Sequence, residues 1–179
     1  MITGTRGLGN TGSIGITARD TVSIDGGMDG LPSSINNIVD GPGIGNGSGI
    51  NITARLLSIT RGGSLASYTN GRGNAGDVNV NAHDTILIDG GMVAESGTYF
   101  SSIIFTQVSP VLIDYDGSDV SQRGAVGQGG NVTLSTGSLF LTNGAIIDTG
   151  NVNGTGNSGL VTINARDSVQ IRGTNSGVA

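Results

Sequence analysis

The chain of 179 residues is rich in glycine and poor in charge, with 34 Gly, 3 Pro, no Cys and only 12% charged residues. The lack of Cys excludes disulfides and thiolate metal sites. A net charge of −5 argues against binding to phosphate backbones or anionic lipid, and no apolar run approaches the ~20 residues of a membrane span. We therefore expect no nucleic-acid partner and no membrane insertion. Apolar residues alternate with polar ones between the glycines, which argues against disorder.

A repeated unit of about 28 residues organises the sequence. Each unit starts with a Gly followed by Asn or Gln, and an alternating apolar run begins five residues after that Gly. The leading glycines are Gly9, Gly45, Gly73, Gly127 and Gly156, and the apolar anchors are Ile14, Ile50, Val78, Val132 and Val161. Intervals of 36, 28, 54 and 29 residues separate the glycines, so two units carry extra residues. The shared register predicts that the five anchors form one column.

Alternation with period two predicts β-strands that have one buried face. A first run such as 78–82 is followed by a short corner, a second run such as 86–88, a Gly-containing turn and a third run such as 92–94. One such coil cannot bury enough apolar surface to fold alone, so we expect coils to stack at ~4.8 Å around a shared core. The predicted fold is all-β, a single-stranded right-handed parallel β-helix (solenoid) with about 28 residues and three short strands per coil.

The predicted β-helix takes up the whole chain as one domain, residues 1–179. Its coils lie near 9–44, 45–72, 73–126, 127–155 and 156–179, and a loop at 111–124 is inserted in the third coil. The sequence shows no polar cap at either end and no signal peptide. We therefore expect the chain to be a piece of a longer protein.

The spacing GxGxxG, typical of dinucleotide-binding folds, begins at Gly7, Gly71 and Gly154. That fingerprint requires a strand before it and a helix after it. Each copy here precedes an alternating strand and recurs with the repeat. We therefore expect no cofactor.

Three aspartates share one position of the repeat, and a catalytic role for them is an alternative to consider. Asp20 and Asp84 are expected two coils, about 9.6 Å, apart, near the upper limit of ~9.5 Å for an inverting pair of carboxylates. A corner Asp that accepts a hydrogen bond from its own turn explains Asp20, Asp84 and Asp167 without chemistry. His83 takes the position of Arg19 and is expected to be a solvated corner residue. We predict no catalytic residues, with a polysaccharide-active glycosidase or lyase as the alternative.

Outward positions of the first strand carry small polar side chains. They are Asn51, Thr53, Asn79, Asn81, Thr133, Ser135, Thr162 and Asn164. A regular Thr array would favour ice binding, but Asn, Ser and Gly15 interrupt it, and such ladders are common on stacked strands. Ice binding stays a further alternative.

The stretch from residue 96 to residue 124 departs most from the repeat and holds four of the six aromatic residues. Asp114, Asp116 and Asp119 could gather a Ca²⁺ ion, although the spacing does not fit an EF-hand loop. A solvated loop explains the same residues, so calcium binding is an alternative and no metal site is predicted. Inserted loops often carry binding functions, and the side chains expected to contact a partner are Tyr99, Tyr115, Leu87 and Phe140. The loop could instead cover the two outward apolar residues, Leu87 and Phe140.

Four segments resemble the repeats of filamentous haemagglutinin-like exoproteins of the two-partner secretion family. The sequences are Gly-Asn-Ala-Gly-Asp-Val-Asn-Val at 73–80, Gly-Gln-Gly-Gly-Asn-Val-Thr-Leu at 127–134, Gly-Ser-Leu-Phe-Leu-Thr-Asn-Gly-Ala at 137–145 and Phe-Thr-Gln-Val-Ser-Pro at 105–110. The resemblance covers nearly the whole chain. The family's Asn-Pro-Asn-Gly-type secretion motif is missing, so the chain resembles a fragment of the repeat shaft.

The resemblance implies a large adhesin of a Gram-negative bacterium, secreted or held at the cell surface. It implies an outer-membrane transporter as the export partner of the parent protein, and host or neighbouring-cell surface glycans or proteins as binding partners. The expected function is a structural and adhesive shaft, not an enzyme.

Overall fold

The computed structural model describes residues 1–27, 32–95, 97–109 and 124–173. Within these ranges the chain is all-β and contains no helix, so none of the described residues lies in a helix that could cross a membrane. The strands are β1 (Ile2–Thr5), β2 (Ile14–Thr17), β3 (Thr21–Asp25), β4 (Ser34–Val39), β5 (Ile50–Thr60), β6 (Ser64–Thr69), β7 (Val78–Asp89), β8 (Gly91–Val93), β9 (Tyr99–Ser101), β10 (Ile103–Val108), β11 (Val132–Thr142), β12 (Ile146–Asp148) and β13 (Val161–Arg172).

The strands form two parallel sheets and one short hairpin. The long-strand sheet has the order β13-β11-β7-β5-β2, with β3 also paired to β5. The short-strand sheet has the order β1-β4-β6-β10-β12. Among the described strands, members of the two sheets alternate along the chain, except that β2 and β3 both belong to the long-strand sheet and that β8 and β9 form a separate antiparallel pair. The prediction of an all-β chain with parallel strands is confirmed.

The parallel register confirms the predicted column of apolar anchors. Ile14 is the partner of Ile50, Ile50 of Val78, Val78 of Val132, and Val132 of Val161. Neighbouring repeats therefore place equivalent residues side by side.

One hydrophobic core receives residues from both sheets. Alternate residues of the long strands point into it, and Ile59 and Ile88 are fully buried there. The short-strand sheet adds Leu65 and Ile104, which are also fully buried. Burial of every second residue follows from the alternation of side chains along a strand.

The prediction of three short strands per coil is wrong, because the first two runs usually form one long strand. Runs 78–82 and 86–88 both belong to β7. A register shift marks the predicted corner, where Arg55 of β5 faces two residues of β7. The carbonyl oxygen of Asp20 accepts hydrogen bonds from the amides of both Arg55 and Leu56, each at 2.9 Å. Hydrogen bonding thus continues across the corner as a β-bulge.

The assignment of residues 92–94 to the third run of their repeat is also wrong. Gly91–Val93 pairs antiparallel with Tyr99–Ser101, outside both large sheets. The place in the short-strand sheet is taken by β10, in which Ile103 is the partner of Ser64. The extra residues of the third repeat therefore include a hairpin at 91–101. Residues 111–123 of the predicted loop lie outside the described ranges.

The leading glycines stack at a close approach of neighbouring repeats. A methyl group on Gly73 would overlap the carbonyl oxygen of Gly45, and one on Gly127 would overlap that of Gly73. Gly73 also has φ +136°, a conformation that side-chain-bearing residues rarely adopt. Only glycine fits both requirements at this position.

The residues after the leading glycines form a hydrogen-bonded asparagine ladder, defined as Asn10, Asn46, Asn74 and Gln128. The side-chain oxygen of Asn10 accepts from the Asn46 amide at 2.8 Å, and that of Asn46 accepts from the Asn74 amide at 2.9 Å. Asn74 accepts in the same way from the Gln128 amide at 2.9 Å. Side chains thus satisfy backbone donors where the chain turns.

Candidate binding surface

The outward side chains of β5, β7, β11 and β13 form a polar face with two columns. The first column contains Asn51, Asn79, Thr133 and Thr162, and the second contains Thr53, Asn81, Ser135 and Asn164. Asn79 Nδ2 donates to Asn51 Oδ1 at 3.2 Å. Amides and hydroxyls of these residues present both donors and acceptors. The predicted outward columns are confirmed, and neither has one residue type throughout.

A charged row runs beside the polar face, along the bulges of the long-strand sheet. It is defined as Arg19, Asp20, Arg55, His83, Asp84, Arg166 and Asp167. Arg55 is its centre, with Nε 3.1 Å from Asp20 Oδ1 and Nη1 2.8 Å from Asp84 Oδ2. The hydrogen bond from Arg55, followed by that from His83, lowers the pKa of Asp84 below its ordinary value. Both neighbours therefore favour the ionised form of that carboxyl.

The prediction that these aspartates accept hydrogen bonds from their own turns is replaced by ion pairing with arginine. Asp20 and Asp84 lie on opposite sides of β5 and share Arg55, while Asp167 lies 2.9 Å from Arg166. The bulge is the physical reason, because it leaves Arg55 alone between two carboxylates. The sequence contains a sign of this ion pairing, because Arg55 lies in the repeat between those of Asp20 and Asp84.

His83 lies in the charged row with its side chain 74% exposed, and its Nδ1 is 2.5 Å from Asp84 Oδ1. Its neighbours border a shallow depression of about 580 Å³ between the polar face and the charged row. The lining includes Asn81, Ser135, Asn164 and Arg166. The depression therefore combines amide, hydroxyl, imidazole and guanidinium groups that can bind a hydroxyl-rich ligand.

The predicted apolar contact residues are only partly brought together. Leu87 and Phe140 are register partners and are half-buried. Tyr99 is 52% exposed on the β8–β9 hairpin, with its hydroxyl close to Gly144. Tyr115 lies outside the described residues. Leu87 and Phe140 therefore form a neighbouring pair, whereas Tyr99 belongs to the hairpin.

Sequence reasoning missed an aromatic pair on the short-strand sheet. The rings of Tyr68 and Phe105 are stacked with centroids 5.6 Å apart. These residues are separated by two positions of register, since Tyr68 is the partner of Gln107. β6 and β10 occupy equivalent positions in their repeats, so an alignment of the two strands reveals the pair. That alignment requires the hairpin at 91–101 to be recognised first.

The possible calcium ligands Asp114, Asp116 and Asp119 lie outside the described residues. In the described ranges, no group of three or more His, Cys, Asp or Glu side chains could hold a metal ion. The calcium hypothesis therefore stays a prediction from the sequence.

Replacing Arg55 with Gln should reduce the loss of folding stability that occurs as the pH falls. Asp84 has a lowered pKa in the folded state, so its contribution to stability is present above the ordinary pKa of 3.8 and is lost as pH falls through the folded value. Without Arg55 that loss should be smaller. Asp25, whose pKa is lowered chiefly by its hydrogen bond with Arg61, should keep part of the effect.

Melting temperatures measured between about pH 7 and pH 3 test this expectation. Arg72→Gln is the matched control, because Arg72 is exposed and forms no ion pair among the described residues. An unchanged pH profile in the Arg55 variant would contradict the role given to this cation.

Comparison with protein-family models, with curated proteins and with solved structures gives no match. The resemblance to filamentous haemagglutinin-like exoproteins therefore stays a prediction from the sequence.

Proposed function

We propose that the chain is a segment of a right-handed parallel β-helix that serves as the structural and adhesive shaft of a bacterial exoprotein. The shaft would be secreted or held at the surface of a Gram-negative bacterium, after export through an outer-membrane transporter. The observation that carries the proposal is the in-register column of equivalent residues from Ile14 to Val161.

The strand order supports a stack of repeats. From β4 onward, each repeat adds one strand to the short-strand sheet and one to the long-strand sheet, next to the strands of the preceding repeat. A step of ~4.8 Å per repeat extends the fold in one direction, with contacts between nearest neighbours. Such a fold is suited to holding a distal domain away from the cell.

The polar face supports adhesion to surface glycans. Its side chains offer donors and acceptors at regular intervals, and the depression beside His83 and Arg166 adds two groups that can donate to sugar hydroxyls. A single sugar would make few contacts there. Repetition along the shaft would strengthen binding because several weak contacts act together.

The ion pairs of the charged row favour glycan binding over glycoside hydrolysis. An inverting glycosidase needs one carboxyl that stays protonated and one that is ionised. Asp20 and Asp84 instead share one guanidinium, and Arg55 and His83 lower the pKa of Asp84. A polysaccharide-active enzyme is thus the second candidate, and ice or calcium binding follow it.

Glycan binding without product release tests the proposed function. We expect the double variant Asn81→Ala/Asn164→Ala to bind glycans on an array at least about tenfold more weakly, since two hydrogen-bonding amides of the polar face are removed. Asn157→Ala is the control, because Asn157 is an exposed amide outside the polar face. Chromatography of the incubated glycans should show no cleavage.

Two results would contradict the proposal. One is unchanged glycan binding by the double variant, which would exclude the polar face as the binding surface. The other is cleavage of a polysaccharide that disappears in Asp84→Asn, which would favour the enzyme.

A further inference from the structure

The depression between the polar face and the charged row has a floor of short side chains and walls of longer ones. Its floor is formed by Ser135 and Thr136 of β11, and its walls belong to β7 and β13. The register sets Ser135 between Asn81 and Asn164. The two walls are two strand steps, about 9.6 Å, apart. The depression therefore lies across three consecutive repeats and has room for one sugar ring.

A glycine at the bulge of β11 shapes the depression on the side of the charged row. Gly137 lies at the register shift of β11, where β5 has Arg55. In β5 the Arg55 side chain lies between two carboxylates. In β11 a Cβ added to Gly137 would lie 2.8 Å from Arg166 Nη2 and 2.9 Å from Asp167 Oδ2. The ion pair of Arg166 with Asp167 therefore takes the space that a side chain has in β5.

Both basic side chains that border the depression are paired with carboxylates. Arg166 donates from Nε to Asp167 Oδ1 at 3.2 Å and from Nη2 to Asp167 Oδ2 at 2.9 Å. His83 Nδ1 is 2.5 Å from Asp84 Oδ1. A guanidinium has five N–H donors, so Arg166 keeps donors for a ligand while its charge is balanced. An anionic ligand has to displace Asp167, whereas a hydroxyl can accept from the guanidinium and donate to the carboxylate at once.

We propose that the depression binds a neutral hexose unit and rejects the corresponding acidic sugar. This inference rests on the proposed glycan-binding function of the polar face and adds the class of sugar. Hydroxyls of the hexose pair with the amides of Asn81 and Asn164 and with the ion pair of Arg166. A carboxylate or sulfate on the same ring is repelled by Asp84 and Asp167 and by the net charge of −5 of the chain.

Two glycans that differ only in charge test the proposal on the whole 179-residue chain. The first is a hexose oligosaccharide, and the second is the same oligosaccharide with its C6 hydroxymethyl groups oxidised to carboxylates. Isothermal titration calorimetry measures both affinities. We expect the neutral form to bind at least about tenfold more tightly at low salt, because the acidic form meets like charges. The difference should narrow as salt is raised, since salt screens exposed charges.

Replacing Asp167 with Asn should reduce the preference for the neutral form at least about threefold, because a carboxylate is removed and the guanidinium of Arg166 is released for an acidic group. Asp25→Asn is the matched control. Asp25 forms the same kind of pair with Arg61, through two hydrogen bonds of 2.6 Å, at the carboxyl ends of β3 and β5 and not at a bulge. Both variants lower the negative charge of the chain equally, and circular dichroism shows whether each is folded.

The outcomes separate this inference from the proposed function. Absence of binding to either glycan would overturn both. Equal or tighter binding of the acidic form by the wild type would overturn the selectivity alone and leave adhesion to glycans in place. An unchanged preference in Asp167→Asn would also overturn it. An equal change in Asp167→Asn and Asp25→Asn would do the same, because net charge and not the depression would then set the preference.

Discussion

Replacing Gly73 with Ala should lower the free energy of unfolding by about 3 kcal/mol or more. Two effects add at this position: the new methyl group overlaps the carbonyl oxygen of Gly45, and φ +136° strains any residue with a side chain. Urea denaturation measures the change, provided that the slope of unfolding free energy against urea concentration is the same for the variant and the wild type.

Three further glycines separate the two effects. Gly9 has φ +134° but open space around an added methyl, so Gly9→Ala should show only the strain, about 1–2 kcal/mol. A methyl on Gly127 overlaps the Gly73 carbonyl oxygen, and no positive φ is found there. Gly15 has neither restriction, and its Ala variant should change stability by no more than about 0.5 kcal/mol. Equal losses for Gly15→Ala and Gly73→Ala would refute the stacking of the leading glycines.

Replacing Ile88 with Ala should cost about 2–5 kcal/mol of unfolding free energy. Ile88 is fully buried between the equivalent residues Ile59 and Leu141, so truncation removes apolar contacts and leaves a cavity. Ile171→Ala is the matched control from the same column, because Ile171 is 69% exposed. That variant should lose no more than about 1 kcal/mol. Similar losses at both positions would contradict the gradient of burial along the column.

The column of anchors could be predicted from the sequence, because parallel in-register pairing sets equivalent residues of neighbouring repeats side by side. Alternation then identifies the buried face. Residues such as Val78 and Ile88 were assigned correctly on these two grounds alone. The prediction needs only local patterns and their repetition.

The bulges were harder to predict, although they had a signal. Between the two apolar runs, Arg55 stands alone where β7 has both His83 and Asp84. A difference of one residue between neighbouring repeats requires either a corner or a bulge, and alternation does not decide between them. In the structure the extra residue is accommodated by a bulge, which places Arg55 between the carboxylates of Asp20 and Asp84.

The hairpin at 91–101 could not be predicted from the repeat. It interrupts a single repeat, so no equivalent segment reveals its strands. Two hydrogen bonds fix the chain at the end of the hairpin: the Ser102 hydroxyl donates to the carbonyl oxygen of Asp89 at 2.7 Å, and the Gly62 amide of the preceding repeat donates to that hydroxyl at 3.1 Å. Such side-chain anchors depend on a geometry that exists only after the neighbouring repeats are in place.

The asparagine ladder gives the fold a direction. The side-chain oxygens of Asn10, Asn46 and Asn74 each accept a hydrogen bond from an amide of the following repeat. A folded repeat on the amino-terminal side therefore holds an acceptor in place for an amide of the repeat that follows it. Folding should consequently proceed from the amino-terminal repeat towards the carboxyl-terminal one, with each folded repeat acting as the template for the next.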